Sequence, residues 1–401
     1  MDQFDISNNE LKVGGLPLQL LAERVGQTPF YAYDRSLIAA RIRAVRQALP
    51  QGVHLHYALK ANPMPALVAF VSPLVDGMDV ASAGELKLAL DAGATAQSIG
   101  FSGPGKRDSE LRQAVAAGVL LHVESVRELR VLADAAQALG RQARIAVRIN
   151  PDFELRGAGM HMGGGAKPFG VDAAQVPALL RGMVQDGLVF EGFHIYPGSQ
   201  NLRAPVIAES LRRSFDLALR LALEAPAPVR YINLGGGWGI PYFPGECVLD
   251  IEPIAVMLEQ VQSELVRVLP AARLVLELGR YLVGEAGVYV ARVIDRKVSQ
   301  GQVFLVTDGG MHHHLAASGN FGQVIRRNYP VVIGNRLQAS EHETASIVGP
   351  LCTPLDLLAD RVELAVAQPG DLVVVFQSGA YGATASPQAF LGHPTCTEVL
   401  V

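Results

Sequence analysis

The stretch VHLHYALKANPMPALVAFVSPLVDGMDVASAGELKLALDAGATAQSIGFSG, residues 53–103, carries three short apolar runs, VHLHYAL, GMDVAS and SIGFSG, with helical segments such as ELKLALDAGA between them. Short β-branched runs alternating with Ala/Leu-rich segments are the grammar of βα units, because parallel strands need a crossover long enough to hold a helix. The pattern continues through LLHVES (120–125), RIAVRIN (144–150), FEGFHIY (190–196), YINLGG (231–236) and RLVLELG (273–279), and SLRRSFDLALRLALEA (210–225) is helical in period. Eight such runs predict an α/β chain built on a closed (β/α)8 barrel. An open doubly wound sheet is the alternative if some of the runs are not strands.

After Gly284 the grammar changes to VYVARVIDRKV, VFLVTD, YPVVIG and DLVVVF, separated by turn signals such as QPGD (368–371). This reads as a C-terminal β domain. The expected division is an N-terminal arm over 1–30 packed with the β domain, a barrel over 31–280 and the β domain over 281–401. The formal charge of −4 creates no field that would draw nucleic acid or an anionic membrane. Three cysteines in 401 residues cannot form a disulfide framework, which points to a reducing compartment. The opening MDQFDISNNELKVGG lacks the basic start and apolar run of a signal peptide. The expectation is therefore a cytoplasmic protein with no membrane partner.

In a barrel of this kind the chemistry sits at the C-terminal ends of the strands. Those ends carry Lys60, Asp79, Ser102, Glu124, Asn150, His194, the run Gly235, Gly236 and Gly237, and Glu277 with Arg280. Any one of them has a bland reading as a solvated end or a helix cap, but together they converge. Three successive residues without Cβ let backbone N–H groups close on an anion, phosphate above all; a tight turn that tolerates glycine is an equal reading of the run alone. GGGWGIPY continues into Pro241 and aromatics rather than a helix start, which argues against a dinucleotide fingerprint. A phosphate site opposite a lysine suggests pyridoxal 5'-phosphate, whose aldehyde needs an amine such as Lys60 and whose pyridine nitrogen needs a carboxylate such as Glu277.

At these residues the chain resembles the fold type III pyridoxal phosphate decarboxylases, the family of diaminopimelate, ornithine and arginine decarboxylases. The motifs that carry the resemblance are YALKANP with Lys60, DVASAGEL with Asp79, VRINP with Arg148, LGGGWGIPY, ELGRY with Glu277 and Arg280, GPLCTPLD with Cys352, GAYG with Tyr381 and the closing EVLV. The resemblance implies an alanine-racemase-type barrel followed by a β domain, assembled as a head-to-tail homodimer with shared active sites. It implies Lys60 as the Schiff-base lysine, His194 stacked on the cofactor ring and Glu277 at the pyridine nitrogen. Gly236, Gly237, Gly279 and Arg280 would hold the phosphate with Ser199 and Tyr381, while Asp79 and Arg148 would complete the cofactor site. Cys352, supplied by the other subunit, would protonate Cα after CO2 leaves.

Departures from the family pattern bear on the substrate. Thr353 follows the cysteine where an acidic residue serves a distal amine, although Asp356 remains. DGGMHHHLAASGNFGQVIRRNYP has no arginine before Arg326, where diaminopimelate decarboxylases place one on the distal carboxylate. HIYPGSQ is longer than the usual stretch around Ser199, and Leu278 replaces the proline of the usual EPGR. With GMHMGGGAKPFG, these features look more like the enzymes of secondary biosynthetic clusters: exosortase-associated, carrier-protein glutamyl and siderophore-pathway decarboxylases. The expected substrate is an amino acid with a modified, acylated or tethered distal end, with a carrier protein as a possible partner. A free diamino acid is the alternative, and Thr353, Asp356, His312 and Tyr381 are the candidate substrate contacts. His312, His313 and His314 are adjacent and lack ligand spacing, so no metal is expected. A racemase would place arginine at the pyridine nitrogen, and a non-catalytic cofactor carrier would lack the second domain; both fit the chain less well.

Overall fold

The computed structural model describes residues 3–154, 160–183, 187–323 and 325–401. Gly159 of the GMHMGGGAKPFG stretch and Val324 lie outside the described residues. The chain divides into two compact units, one of Ile42–Ile240 with Cys247–Tyr281, the other of the residues up to Arg41, Pro241–Glu246 and Leu282–Val401.

The first unit is the barrel. Its strands are Val53–Ala58, Gly77–Val80, Ile99–Phe101, Leu120–Val123, Ala143–Asn150, Leu188–Ile195, Tyr231–Gly236 and Arg273–Leu278. Each pairs in parallel with its neighbour, and the last returns to the first in the register Leu274↔Val53 to Leu278↔Tyr57. That pairing closes the ring and decides against the open sheet. A ninth short strand, Val171–Asp172, extends the same sheet beside Ile149 and Asn150. Leu120, Ala146, Tyr231 and Val275, from the fourth, fifth, seventh and eighth strands, cluster as buried core, so side chains fill the barrel. Two Ser-x-x-Glu sequences start helices directly past strand ends. Ser82 accepts from the Glu85 amide at 3.2 Å and Ser125 from the Glu128 amide at 3.3 Å, while the two glutamates accept from the amides of Ala81 and Glu124. These caps turn the chain sharply and leave the polar strand ends at one mouth.

The second unit is built on an eight-stranded sheet. Gly287–Ser299 is its long central strand, paired antiparallel with Gln302–Thr307, Leu372–Val375 and Phe30–Tyr33. The C-terminal Thr397–Leu400 lies parallel to Phe30–Tyr33, so EVLV is mostly strand. The N-terminal segment packs on this sheet: Phe4, Leu11, Val13, Leu18 and Leu21 are buried with Phe30, Val288, Val290, Leu372, Val374 and Phe376. Each such side chain contributes about 1.5–3 kcal/mol by leaving water. The strands His342–Val348 and Leu357–Ala365 have mixed burial and carry charges such as Glu343, Asp360 and Arg361, which hides their period in the sequence.

His314 is fully buried in this unit. It accepts from the Ala317 amide at 3.2 Å through Nδ1 and lies 2.9 Å from Ser378 Oγ through Nε2, with Tyr31, Tyr289 and Tyr329 around its ring. Burial pushes its pKa down to about 3. An unfolded histidine takes its proton near ~6.5, so between the two values the unfolded chain binds more protons and stability falls as the pH drops. Melting temperatures measured from pH 7.5 down to pH 4.5 are expected to decline. His314→Gln is expected to flatten that slope, and an unchanged slope would refute the assignment.

Candidate active site

Glu277, near the end of the eighth barrel strand, is buried and accepts a hydrogen bond at 3.1 Å from Asn233 on the neighbouring strand. Asn233 also donates to the Tyr231 hydroxyl at 3.1 Å and accepts from the Gly235 amide at 2.7 Å, so its amide is locked. His194 Nε2 lies 3.2 Å from the same carboxylate oxygen, off the line of a good hydrogen bond. Burial alone would raise the pKa of Glu277, but His194 foremost, then Lys60 and Arg148, hold it down at about 2. The carboxylate is an anion at every physiological pH.

Asp79, on the second strand, lies 3.1 Å from His56 Nδ1, and its Oδ1 is buried without a hydrogen-bond partner. Burial raises its pKa, His56 opposes, and the nearby Glu277 anion raises it further. The two carboxylates are thus driven apart, one kept charged and the other pushed toward its protonated form. Arg148 donates to Glu124 at 3.0 Å, and its guanidinium lies 5.1 Å from the Phe169 ring. Glu124 in turn accepts from the Gly103 amide at 2.6 Å and the Gly170 amide at 2.9 Å, while buried Lys106 lies 3.0 Å from Glu128 and 3.9 Å from Glu124.

Lys60 stands on the short turn Leu59–Ala61 that follows the first strand, exposed, with its ammonium 5.2 Å from the Tyr196 ring. A Cβ on Gly279 would come within 2.9 Å of Ala61 Cβ, so the bare glycine lets the end of the eighth strand approach the Lys60 turn. Arg280 follows, half-buried.

The glycine run is held by packing as well as by any anion it could bind. Gly237 has φ +74° and an added Cβ would lie 2.2 Å from the Gly198 carbonyl; on Gly236 it would lie 2.2 Å from the Glu277 carbonyl. Asn201 donates its amide to the Gly237 carbonyl at 3.0 Å and accepts from the Gly239 amide at 2.9 Å. The longer HIYPGSQ segment is thereby stitched to the run and buried Ser199 sits beside it. Gly237→Ala is expected to cost about 2–4 kcal/mol through the clash and the left-handed backbone. Thermal melts and a fluorescence titration with the cofactor should show a lower melting temperature and weaker cofactor binding; wild-type values in both would refute it.

In the other unit, Cys352 is exposed on a turn and Thr353 is half-buried beside it. Tyr381 holds a left-handed backbone at φ +54°, strain of the kind that collects at functional positions. His312 is fully buried against the rings of His313 and His393, at 3.7 and 5.2 Å, with neither nitrogen hydrogen-bonded. Burial, then His313 and His393, push its pKa down to about 4. His313 instead lies 2.7 Å from the Pro394 carbonyl. Asp356, expected as a substrate contact, is held from within its own loops. Its carboxylate is buried and accepts from the amides of Met311 at 2.6 Å and Leu351 at 2.8 Å, with Gly310 and Gly349 packed against it. It is a loop clasp, because a buried carboxylate must satisfy its oxygens and the nearest donors are backbone.

Sequence reading missed Asn233, His56, His122 and Lys106. The first three are polar residues inside otherwise apolar strand runs, which is the one signal that could have found them.

The profile of the family described as "Pyridoxal-dependent decarboxylase, pyridoxal binding domain" matches residues 35–284. The chain belongs to this family of pyridoxal phosphate-dependent decarboxylases. It is 41% identical to the L-glutamyl-[BtrI acyl-carrier protein] decarboxylase of Niallia circulans over 380 residues, 93% of this chain and 89% of the relative. It is 30% identical to the 2-[(L-alanin-3-ylcarbamoyl)methyl]-2-hydroxybutanedioate decarboxylase of Staphylococcus aureus, covering 91% of this chain and 92% of that one. Among solved structures, diaminopimelate decarboxylase from M. jannaschii in complex with L-lysine superposes with a TM-score of 0.88 at 25% identity, covering 99% of this chain and 92% of that one.

The family's cofactor is pyridoxal phosphate, and the barrel mouth fits it. A cradle that side chains would fill stands at Gly236 and Gly237, an anion is fixed at Glu277, and buried Asp79 Oδ1 and His194 Nε2 lack hydrogen-bond partners. Among the described residues no helix is long and apolar enough to cross a membrane.

Proposed function

We propose that this decarboxylase removes the α-carboxylate of an amino acid whose distal end is tethered or acylated, with a glutamyl group on a carrier protein as the leading substrate. The observation that carries the reading is the 41% identity, over 93% of the chain, to a carrier-bound glutamyl decarboxylase. Thr353 in place of an acidic residue, and the absence of arginine between Asp308 and Arg326, support it, since a free distal ammonium or carboxylate would leave its charge unmatched there.

When bound, pyridoxal phosphate supplies an electron sink for the pair released as CO2 leaves. In this reading Lys60 Nζ would hold the cofactor through its amine until substrate binds. His194 would pack on the cofactor ring, Glu277 would keep a proton on the pyridine nitrogen, and Asp79 and Arg148 would balance the charge around it. Ser199, Gly236, Gly237, Gly279 and Arg280 would hold the phosphate, as would Tyr381 on the family's pattern. The exposed thiol of Cys352 delivers its proton to Cα, contributed by a second copy of the chain in a head-to-tail dimer. Thr353 and His312 face the distal part of the substrate, and the reaction takes place in the cytoplasm.

The test is CO2 release from the holoenzyme offered L-glutamate thioesterified to a carrier protein, free L-glutamate, diaminopimelate, ornithine and lysine. Turnover of the tethered substrate with kcat/KM at least about tenfold above every free amino acid is expected, roughly 1.4 kcal/mol of discrimination. A free diamino acid turned over best would overturn the reading.

A further inference from the structure

We propose that Ser102 and His122 are positioning residues for His194, a hydroxyl–imidazole pair that sets the tautomer and tilt of the ring facing the cofactor. The inference rests on the reading above that His194 faces the cofactor, and goes beyond it by naming what holds that ring.

Three strand ends converge here. Ser102 Oγ, past the third strand, lies 2.6 Å from Nδ1 of His122 on the fourth strand and 3.5 Å from Nδ1 of His194 on the sixth. The two imidazoles are 4.4 Å apart, tilted by 46°, and both are buried. Room for the His122 ring exists because the neighbouring third strand carries Gly100, whose Cβ would lie 2.9 Å from His122 Cε1. Lys106 donates to the His122 carbonyl at 3.0 Å, and Tyr231 packs at 5.7 Å from its ring.

His122 is neutral: burial first, then His194, Lys106 and Arg148, push its pKa well down. A neutral imidazole has one N–H, and His122 Nε2 is buried with no hydrogen-bond partner. A bare lone pair there costs less than an orphaned N–H, so the proton belongs on Nδ1 and is donated to Ser102 Oγ. The single hydroxyl proton of Ser102 is then free for His194 Nδ1. With Nδ1 an acceptor, the N–H of His194 is placed on Nε2; unlike His122 Nε2, this nitrogen has a carboxylate oxygen of Glu277 at 3.2 Å, which favours an N–H over a lone pair even off the line of a good hydrogen bond. No charge needs to move for this arrangement, and every proton in it has a stated donor.

The test uses the purified protein titrated with pyridoxal phosphate, read by the dissociation constant and by the induced circular dichroism of the bound cofactor, which reports ring orientation. Ser102→Ala is expected to weaken cofactor binding by about 5–10-fold, the effect of losing one buried hydrogen bond, and to diminish the induced band. Ser102→Thr, which keeps the hydroxyl, is expected to restore both. Ser102→Ala combined with His122→Phe should be no worse than the more affected single variant, because the two residues act as one unit. Wild-type binding and an unchanged band in Ser102→Ala, with both altered in His194→Ala, would overturn the proposal while leaving the His194 reading intact. No change in His194→Ala would overturn that reading and the proposal with it. If Ser102→Ala does not fold, Ser102→Thr against the isosteric Ser102→Val makes the same comparison: equal behaviour of the two overturns the proposal.

Discussion

Lys60→Ala is expected to yield a folded protein that retains no cofactor after hydride reduction and denaturation, with kcat lowered by about 10³-fold or more, the scale of a positioned covalent and proton-transfer group. The fold should survive because Lys60 is exposed on a three-residue turn, and the local chain is held by other groups: the Tyr57 hydroxyl donates to the Asn62 carbonyl at 2.9 Å and Asn62 accepts from the Met64 amide at 3.0 Å. Intact-mass measurement after reduction reads the covalent link directly, and far-ultraviolet circular dichroism reads the fold. A cofactor adduct of unchanged stoichiometry in the variant would show that another amine makes the link, and the assignment of Lys60 would fall.

Glu277→Gln tests the opposite end of the site and separates binding from chemistry. The amide retains the shape and can still accept from Asn233, so cofactor binding should change little, while kcat should fall by about 10²–10³-fold once the fixed negative charge is gone. The depressed pKa also predicts the pH behaviour. Glu277 is ionised above about pH 2 in the folded protein, so activity between pH 5 and pH 8 should show no limb from its titration. Its stabilising contribution is fully present above the unfolded value near ~4.3 and is lost as the pH falls toward the folded one. Equal kcat for wild type and variant would remove Glu277 from the chemistry.

The position of Lys60, Asp79, His194 and Glu277 at the barrel mouth was legible because chemistry and period coincide. Each stands at or near the end of an apolar run, and in a parallel barrel those ends share one mouth. Less legible were the partners. Asn233 can lock Glu277 only because the seventh strand lies beside the eighth, and Ser102, His122 and His194 meet only because the third, fourth and sixth strands curve round one lumen. Asp356 shows the reverse case. A carboxylate in a loop motif reads as a substrate contact, and only the fold shows it buried and accepting from the Met311 and Leu351 amides.

By itself, then, the sequence determined the order of strands and helices, the change to a β domain after Gly284 and the residue types delivered to the strand ends, since these follow from local periodicity and turn chemistry. Tertiary structure alone decided that the sheet closes, which buried carboxylate stays charged, and which polar groups are open to chemistry rather than satisfied by backbone. Those outcomes depend on distances and desolvation among residues far apart in the chain, and a linear pattern carries neither.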